Sequence, residues 1–372
     1  MNNIKNILIT GSNGFIGSNL KFHLLENDYN VLEYKSNHSL KKLKNLIKKS
    51  DFVFHLGGVN KSKKIKDFIK NNVILTKNIC QFILENKKTI PIFFSSSTQV
   101  NVKADSIYSK TKKEAEKILI KNSKKMQVIL ARFPNVYGKW SKPNHNSFVA
   151  TCCYNISRNL PVKIIDDKKK LELIYIDDLI SILMNILKKS DKKKLTNVKI
   201  KKTSHVTVKK IYEKILGFED KRIKSKSVSS SKGFDANLYS TYVSFLPKKK
   251  FSYFVDKNSS STGSFIEFIK NKNFGQISTL IVKPGCTRGN HYHHSKVEKF
   301  LIVSGRAKFE FKNLKDKKKI TILCSSKKSK VVETIPGFTH NIKNISRNDL
   351  IVIIWSNQIY NKKKPDTVYH KI

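Results

Sequence analysis

The feature that most constrains the fold is a glycine-rich turn near the start of the chain. The run Gly11-Ser12-Asn13-Gly14-Phe15-Ile16-Gly17 follows an apolar, strand-like segment at residues 4–10 and opens a helical pattern at residues 15–26. Glycines at such a turn let the backbone approach a pyrophosphate, which the positive end of the helix stabilises. The turn predicts a dinucleotide-binding domain, with all seven residues at the coenzyme.

The order of the predicted elements extends this reading to the whole chain. Residues 1 to about 190 alternate strand-like runs with helical patterns, which predicts a Rossmann-type, doubly wound parallel α/β sheet. After Pro247 short β-rich segments recur and helical periodicity nearly vanishes, so a small all-β barrel is expected there. We therefore place the domains at residues 1–246 and 247–372. The polar run at residues 225–233 is predicted to be an exposed loop.

The residue after the second predicted strand bears on the choice of coenzyme. An acidic side chain there would bind the ribose 2′-hydroxyl of NAD, whereas a cation accommodates the 2′-phosphate of NADP. That residue is Lys35, although Glu33 shares its strand face. The sequence therefore favours NADPH, with Lys35 at the phosphate.

Three further residues form a candidate catalytic set. Ser97 closes the run Ser95-Ser96-Ser97 at the end of the fourth predicted strand, and Tyr108 and Lys112 follow one helical turn apart. A nearby ammonium is expected to favour the phenolate, so that Tyr108 can donate and accept protons near working pH. Tyr108 and Lys112 are also expected to contact the coenzyme.

The carboxy-terminal half contains a candidate metal site. His291 and His293 alternate on a predicted strand, Glu298 can return from the next strand, and His340 follows further on. Three imidazoles and a carboxylate suit a divalent transition metal, with zinc expected first and iron or manganese as alternatives. The set resembles the cupin motif, except that Pro336 and Gly337 are adjacent rather than separated by one residue.

Residues 1 to about 245 resemble the extended short-chain dehydrogenases/reductases. Beside the glycine turn and the Tyr108–Lys112 pair, the resemblance rests on three segments: His55-Leu56-Gly57-Gly58, Asn72, and Arg132-Phe133-Pro134-Asn135-Val136-Tyr137-Gly138. It implies coenzyme contacts at Leu56, Gly57 and Asn72, and substrate contacts at Arg132 and Asn135. Sugar dehydratases of that superfamily carry an Asp-Glu pair where this chain has Thr98-Gln99, so dehydration is not expected.

The whole chain resembles the bifunctional enzymes of bacterial capsule and O-antigen synthesis that act on UDP-2-acetamido-2,6-dideoxy-hexos-4-uloses. Characteristic stretches include Trp140-Ser141-Lys142-Pro143-Asn144, Leu238-Tyr239-Ser240-Thr241-Tyr242 and Pro365-Asp366-Thr367. The resemblance implies C3 epimerisation by the cupin domain and NADPH-dependent reduction of the C4 keto group, on the route to UDP-N-acetyl-L-fucosamine. It also implies a homodimer. The general base for C3 stays open among Tyr292, His294 and several lysines.

Composition limits the other classes of function. The formal net charge is +47, but lysine is spread along the chain and only six arginines occur, so compositional drift is favoured over nucleic-acid binding. The five cysteines show no CxxC spacing and no apolar run is long enough to span a membrane, so a cytoplasmic protein is expected. Two alternatives stay open: a reductase or epimerase of another nucleotide 4-keto sugar with a non-catalytic cupin, and a polyanion-binding protein.

Overall fold

The computed structural model describes residues 4–86, 88–101, 106–188, 194–224, 232–361 and 365–372. The predicted loop at residues 225–233 lies mostly outside these residues. The chain divides into two compact units, which are described separately below. The first comprises Met1–Ile215 with Asn237–Pro247, and the second comprises Leu216–Ala236 with Lys248–Ile372.

Up to about residue 190 strands and helices largely alternate, as the sequence predicts, and two strands and two helices follow. In chain order they are β1 (Asn6–Thr10), α1 (Phe15–Leu25), β2 (Asn30–Tyr34), α2 (Leu40–Lys49), β3 (Phe52–His55), α3 (Ile65–Phe68), a π-helix (Ile69–Ile74), α4 (Leu75–Leu84), β4 (Ile92–Ser97), α5 (Ile107–Asn122), β5 (Val128–Phe133), β6 (Asn135–Tyr137), α6 (Phe148–Ile156), β7 (Lys170–Tyr175), α7 (Ile176–Lys188), β8 (Leu195–Val198), β9 (Ser204–Thr207), α8 (Val208–Ile223) and α9 (Phe234–Ser244).

The main sheet of the first unit is parallel, with strand order β2-β1-β3-β4-β5-β8. Its strands are apolar on both sides: Ile7 and Ile9 of β1 belong to one buried cluster and Leu8 to the other. Burial on both faces is what a parallel sheet between two helical layers requires. The predicted Rossmann-type fold is confirmed. A smaller sheet of β6, β7 and β9 lies in the same unit.

The second unit is built from antiparallel strands. In chain order they are β10 (Lys257–Ser260), β11 (Gly263–Asn271), β12 (Gly275–Val282), β13 (Thr287–Tyr292), β14 (Glu298–Ser304), β15 (Arg306–Asn313), β16 (Lys319–Ser325), β17 (Val331–Glu333), β18 (Phe338–Asn344), β19 (Leu350–Ser356) and β20 (Val368–Tyr369).

These strands form two sheets, with orders β10-β11-β12-β19-β14-β17 and β16-β15-β18-β13-β20. Side chains from both sheets, such as Val282 and Val352 from one and Phe309 and Phe311 from the other, form one buried cluster. Alternating inward and outward residues let each strand contribute to this core. The predicted all-β cupin barrel is confirmed.

Two further sequence expectations can be compared with the described residues. All five cysteines are unpaired, in agreement with a chain that has no disulfide framework. None of the helices in the described ranges is both long enough and apolar enough to cross a membrane.

Candidate functional site

The glycine turn between β1 and α1 has the close backbone approaches that its sequence predicts. Gly11 adopts a φ of 75°, and a Cβ there would lie 2.7 Å from the Cα of Gly57. A Cβ on Gly17 would lie 2.1 Å from the carbonyl oxygen of Gly11. The first turn of α1 has no acidic residue and no side-chain cap, so its N–H groups are left for an anionic ligand.

A buried histidine fixes the loop that faces this turn. Nδ1 of His55 is 2.7 Å from Oγ1 of Thr10, and Nε2 is 2.9 Å from Oγ1 of Thr76. The Thr76 hydroxyl donates to the carbonyl of Asn72, so it accepts from Nε2 of His55. The Thr10 hydroxyl accepts from the Gly57 N–H and donates to Nδ1 of His55. Burial, with the charge of Lys112, lowers the pKa of His55 to about 3. A neutral imidazole therefore holds Gly57 at the predicted coenzyme site.

Asn72 connects that loop to the catalytic helix. Its side chain accepts from the Val59 N–H and donates to the Val59 carbonyl, at 2.8 Å and 3.0 Å. It also donates to Oγ1 of Thr111 on α5, at 3.0 Å. The sequence predicts one continuous helix over residues 68–85, but Asn72 lies in the π-helix between α3 and α4, a local widening that often occurs at functional sites.

Ser97, Tyr108 and Lys112 lie together at the carboxyl end of β4 and the start of α5. Ser106 caps α5 by accepting from the Ser109 N–H at 3.2 Å, a contact that contributes about 1 kcal/mol to helix stability. The Lys112 side chain is 4% exposed, and its ammonium donates to the carbonyl of Ser95 at 2.8 Å. Burial lowers the pKa of Lys112 to about 8, although the charge of Glu116 opposes the shift.

The pKa of Tyr108 differs from the sequence expectation. Burial raises it, and the hydrogen bond with Ser97 only partly offsets that shift. The Lys112 ammonium donates to the Ser95 carbonyl and lies 4.6 Å from the centre of the Phe94 ring. In this arrangement Tyr108 is a protonated phenol, which is the form that can donate a proton.

The two expected substrate contacts have different surroundings. Arg132 forms a bidentate pair with the buried carboxylate of Glu116 on α5, at 2.9 and 2.6 Å, and also contacts Asn101. Its guanidinium therefore anchors the catalytic helix to β5. Asn135 is exposed at the start of β6 and donates to the Glu172 carbonyl at 3.1 Å.

Glu33, at the end of β2, has one paired and one unpaired carboxylate oxygen. Oε1 is 2.6 Å from the Lys21 ammonium on α1, and the buried Oε2 has no hydrogen-bond partner among the described residues. Burial alone would raise the pKa of Glu33, but the contact with Lys21 and the charges of Lys21 and Lys35 hold it below its usual value. The Glu33 carboxylate is thus partly compensated within the protein.

The four predicted metal ligands lie together in the second unit. Their ligand atoms all fall within 4.8 Å of one another, and His291 pairs with His340 across β13 and β18. In a tetrahedral site, ligand bonds of about 2.0–2.2 Å place the ligand atoms about 3.3–3.6 Å apart, so the side chains need to close by roughly 1 Å to bind one ion. The adjacency of Pro336 and Gly337 does not displace His340 from the group.

The chemistry of these donors also fits a divalent metal. Burial and the neighbouring imidazoles lower the pKa of His291 to about 3, which keeps it neutral. Burial would raise the pKa of Glu298, but contacts with His293 and His340 and the charge of Lys296 hold it well below its usual value. Among the described residues, the buried Nε2 of His340 has no hydrogen-bond partner. These residues fit a metal that would complete their coordination.

Sequence reasoning missed several residues that support both sites. Thr76 and Glu116 are buried polar groups whose partners, His55 and Arg132, are distant in sequence, and no local pattern marks them. Lys296 lies between two predicted ligands, and its ammonium is 2.9 Å from Oε1 of Glu298. This ion pair leaves Oε2 directed at His293, at 3.3 Å from Nε2. Among many lysines, its role could not be distinguished from sequence alone.

Comparisons with known proteins agree with this architecture. Residues 7–199 match the model of the NAD dependent epimerase/dehydratase family, and residues 258–368 match the polysaccharide biosynthesis C-terminal domain. The chain is 38% identical, over 97% of both sequences, to a Pseudomonas aeruginosa protein named UDP-2-acetamido-2,6-beta-L-arabino-hexul-4-ose reductase.

Solved structures give the same result. The capsular polysaccharide assembling protein CapF from Staphylococcus aureus is 34% identical, covers 99% of this chain and all of its own, and superimposes with a TM-score of 0.90. A Bacillus cereus UDP-glucuronic acid 4-epimerase solved with NAD is 18% identical, covers 66% of this chain and all of its own, and has a TM-score of 0.57, which supports the fold alone. The chain therefore belongs to the NAD dependent epimerase/dehydratase family, within the group that carries a polysaccharide biosynthesis C-terminal domain.

Proposed function

We propose that this chain is an NADPH-dependent reductase of the C4 keto group of a UDP-2-acetamido-2,6-dideoxy-L-hexos-4-ulose, and that its cupin domain epimerises C3 of the same sugar. The product would be the precursor of UDP-N-acetyl-L-fucosamine for capsule or O-antigen polysaccharide. A homodimer is part of the proposal.

One observation carries the reductase assignment. Tyr108, hydrogen-bonded to Ser97 and one helical turn from a buried Lys112, lies at the carboxyl end of a parallel sheet whose first turn is built for a pyrophosphate. Ligands bind at this edge of doubly wound sheets. The 38% identity to a named hexul-4-ose reductase extends over 97% of both chains, so it includes both domains.

The residues of the first site have distinct parts in ketone reduction. When bound, the reduced nicotinamide supplies the hydride for C4. The Tyr108 hydroxyl donates a proton to the C4 oxygen, which becomes the alcohol, and the Ser97 hydroxyl donates a hydrogen bond to the same oxygen. The Lys112 ammonium donates to the Ser95 carbonyl, so we assign it to binding the coenzyme rather than to the proton transfer.

Epimerisation moves a proton without net redox change. The C3 proton is acidic only when negative charge on the neighbouring C4 oxygen is stabilised. A divalent metal held by His291, His293, Glu298 and His340 would supply a Lewis acid for that charge, and zinc suits the donor set. Lys296 keeps one oxygen of Glu298 occupied, so the carboxylate offers the metal Oε2.

The preference for NADPH rests on the end of β2. Lys35 follows the strand directly, and Glu33, the acid on the same face, is already paired with Lys21. A 2′-phosphate there would therefore meet a cation.

Product analysis tests the proposal. A panel of UDP-4-keto sugars is incubated with the full-length chain and NADPH in D₂O, and the products are identified by mass spectrometry and NMR. We expect the UDP-2-acetamido-2,6-dideoxy-L-arabino-4-ulose to give an alcohol with inverted C3 that carries deuterium. Reduction without deuterium exchange at C3 would mean that the cupin domain does not catalyse epimerisation. Selective turnover of a different 4-keto sugar would overturn the substrate assignment.

A further inference from the structure

The carboxy-terminal segment is tied to the strands that carry the metal ligands. Strand β20 pairs with β13, so that Tyr369 lies opposite His291. The His370 N–H donates to the Asn290 carbonyl at 2.8 Å, and the Thr339 hydroxyl donates to the His370 carbonyl at 2.6 Å. Asp366 lies just before β20, in the Pro365-Asp366-Thr367 stretch that the reductase chemistry does not use.

The Asp366 carboxylate holds the loop between two of the ligands. Its oxygens accept from the backbone N–H groups of His294, Ser295 and Lys296, each at 2.8 Å. The Ser295 hydroxyl donates to it as well, at 2.8 Å. Burial alone would raise the pKa of Asp366, but these four hydrogen bonds together hold it well below its usual value.

The backbone carbonyl of Asp366 acts on a ligand directly. It lies 2.5 Å from Nδ1 of His293. A carbonyl oxygen can only accept, so Nδ1 donates this hydrogen bond and Nε2 is the ring nitrogen that faces the other predicted ligands. That Nε2 points toward Oε2 of Glu298, 3.3 Å away. A hydrogen bond to the second ring nitrogen commonly orients a metal-binding histidine in this way.

We propose that Asp366 is a positioning residue for the metal site. Its carbonyl sets the ring orientation and tautomer of His293, and its carboxylate sets the path of residues 294–296 and with it the spacing from His293 to Glu298. The inference rests on the proposed metal site, and it is independent of which sugar the enzyme uses. Substituting a residue that orients a metal ligand in this way typically weakens metal affinity by about 10–100-fold.

The test compares metal binding by full-length variants. Chelator competition with Zn²⁺ and with Co²⁺ gives the dissociation constants, and the visible spectrum of the Co²⁺ form reports coordination geometry. We expect Asp366→Ala to weaken binding by about 10–100-fold and to shift the Co²⁺ bands. Both variants keep the backbone carbonyl, and Asp366→Asn also keeps one side-chain acceptor oxygen, so its affinity should lie between those of Asp366→Ala and the unaltered chain.

The control is Asp316→Ala, which removes an exposed carboxylate from another turn of the same domain, where it accepts from the Lys318 N–H at 3.0 Å. It should leave Zn²⁺ affinity and the Co²⁺ spectrum unchanged. Equal affinity and identical spectra for Asp366→Ala and the unaltered chain would overturn the role of Asp366. An unaltered chain that binds neither ion would instead refute the metal site of the proposed function.

Discussion

The reductase site and the metal site are assembled in different ways. Ser97, Tyr108 and Lys112 come from one strand end and the helix that follows it, within 16 residues of sequence. The proposed metal ligands lie on β13, β14 and β18 or, for His293, directly after β13. These strands belong to two sheets, and residues 365–370 contact them. The first site depends on local helical spacing, whereas the second depends on strand register and on contacts across the barrel.

This difference explains what surrounds each site. The helix α5, which carries Tyr108 and Lys112, is held by buried polar contacts of Thr111 with Asn72 and of Glu116 with Arg132. The proposed metal ligands come from strands of two sheets, and a backbone carbonyl of a neighbouring segment orients one of them, His293. Variants should therefore separate the two sites, and the following predictions test how far that separation extends.

The largest effect is expected from Tyr108→Phe. Removing the hydroxyl deletes the proton donor to the C4 oxygen, so kcat/KM for ketone reduction should fall by about 10²–10⁴-fold. Deuterium exchange at C3, measured by NMR in D₂O, should persist because the metal site is unaltered. Tyr212→Phe, on α8, is the matched control and should reduce normally. Loss of exchange in Tyr108→Phe would mean that one site performs both steps.

Replacing a metal ligand should give the reciprocal result. His291→Ala or His340→Ala removes one of four donors. Metal affinity should therefore fall by more than about 100-fold, the upper limit for residues that only orient a ligand. Metal content by mass spectrometry and reduction of an already C3-epimerised sugar are the two measurements. His294→Ala removes an exposed neighbouring imidazole and should keep its metal. Full metal retention in both ligand variants would show that the ligand assignment is wrong.

The pH dependence of reduction sharpens the comparison for the first site. Burial lowers the pKa of Lys112 to about 8, so its ammonium is present below that pH and lost above it. The value of kcat/KM for the coenzyme reports ionisations of the free enzyme. It should therefore fall above about pH 8, by about tenfold per pH unit. Lys112→Arg keeps its charge, so any activity it retains should lack this alkaline limb. An unchanged limb in that variant would assign the ionisation to another group.

The smallest effect concerns the coenzyme. Lys35→Asp replaces the cation at the end of β2 by an acid. The ratio of kcat/KM for NADPH to that for NADH should therefore drop by about tenfold or more, and tenfold corresponds to about 1.4 kcal/mol in activation free energy. Lys48→Asp makes the same charge change at the far end of α2 and should preserve the ratio. Comparable kcat/KM for both coenzymes in the unaltered chain would contradict the NADPH preference.

Much of the fold could be predicted because its signals are local. Three signals depend on residues close in sequence: the glycine turn, the alternation of strands and helices, and the placement of Tyr108 and Lys112 about one helical turn apart. The same is true of the His291–His293 alternation, although the strand there contains a bulge between Gly289 and His291 and ends at Tyr292. The π-helix at Asn72 was missed because its residues do not differ in pattern from an ordinary helix.

The sequence by itself determined the two folds, the order of the domains and the residue types at both sites. Only the tertiary structure decided the protonation states and the hydrogen-bond partners of the residues at these sites. Burial raises the pKa of Tyr108, the Arg132 guanidinium pairs with Glu116, and Asp366 reaches a histidine 73 positions earlier in the chain. The physical reason is that desolvation and hydrogen bonding between distant segments depend on which groups the folded chain brings together, and no spacing along the sequence encodes that.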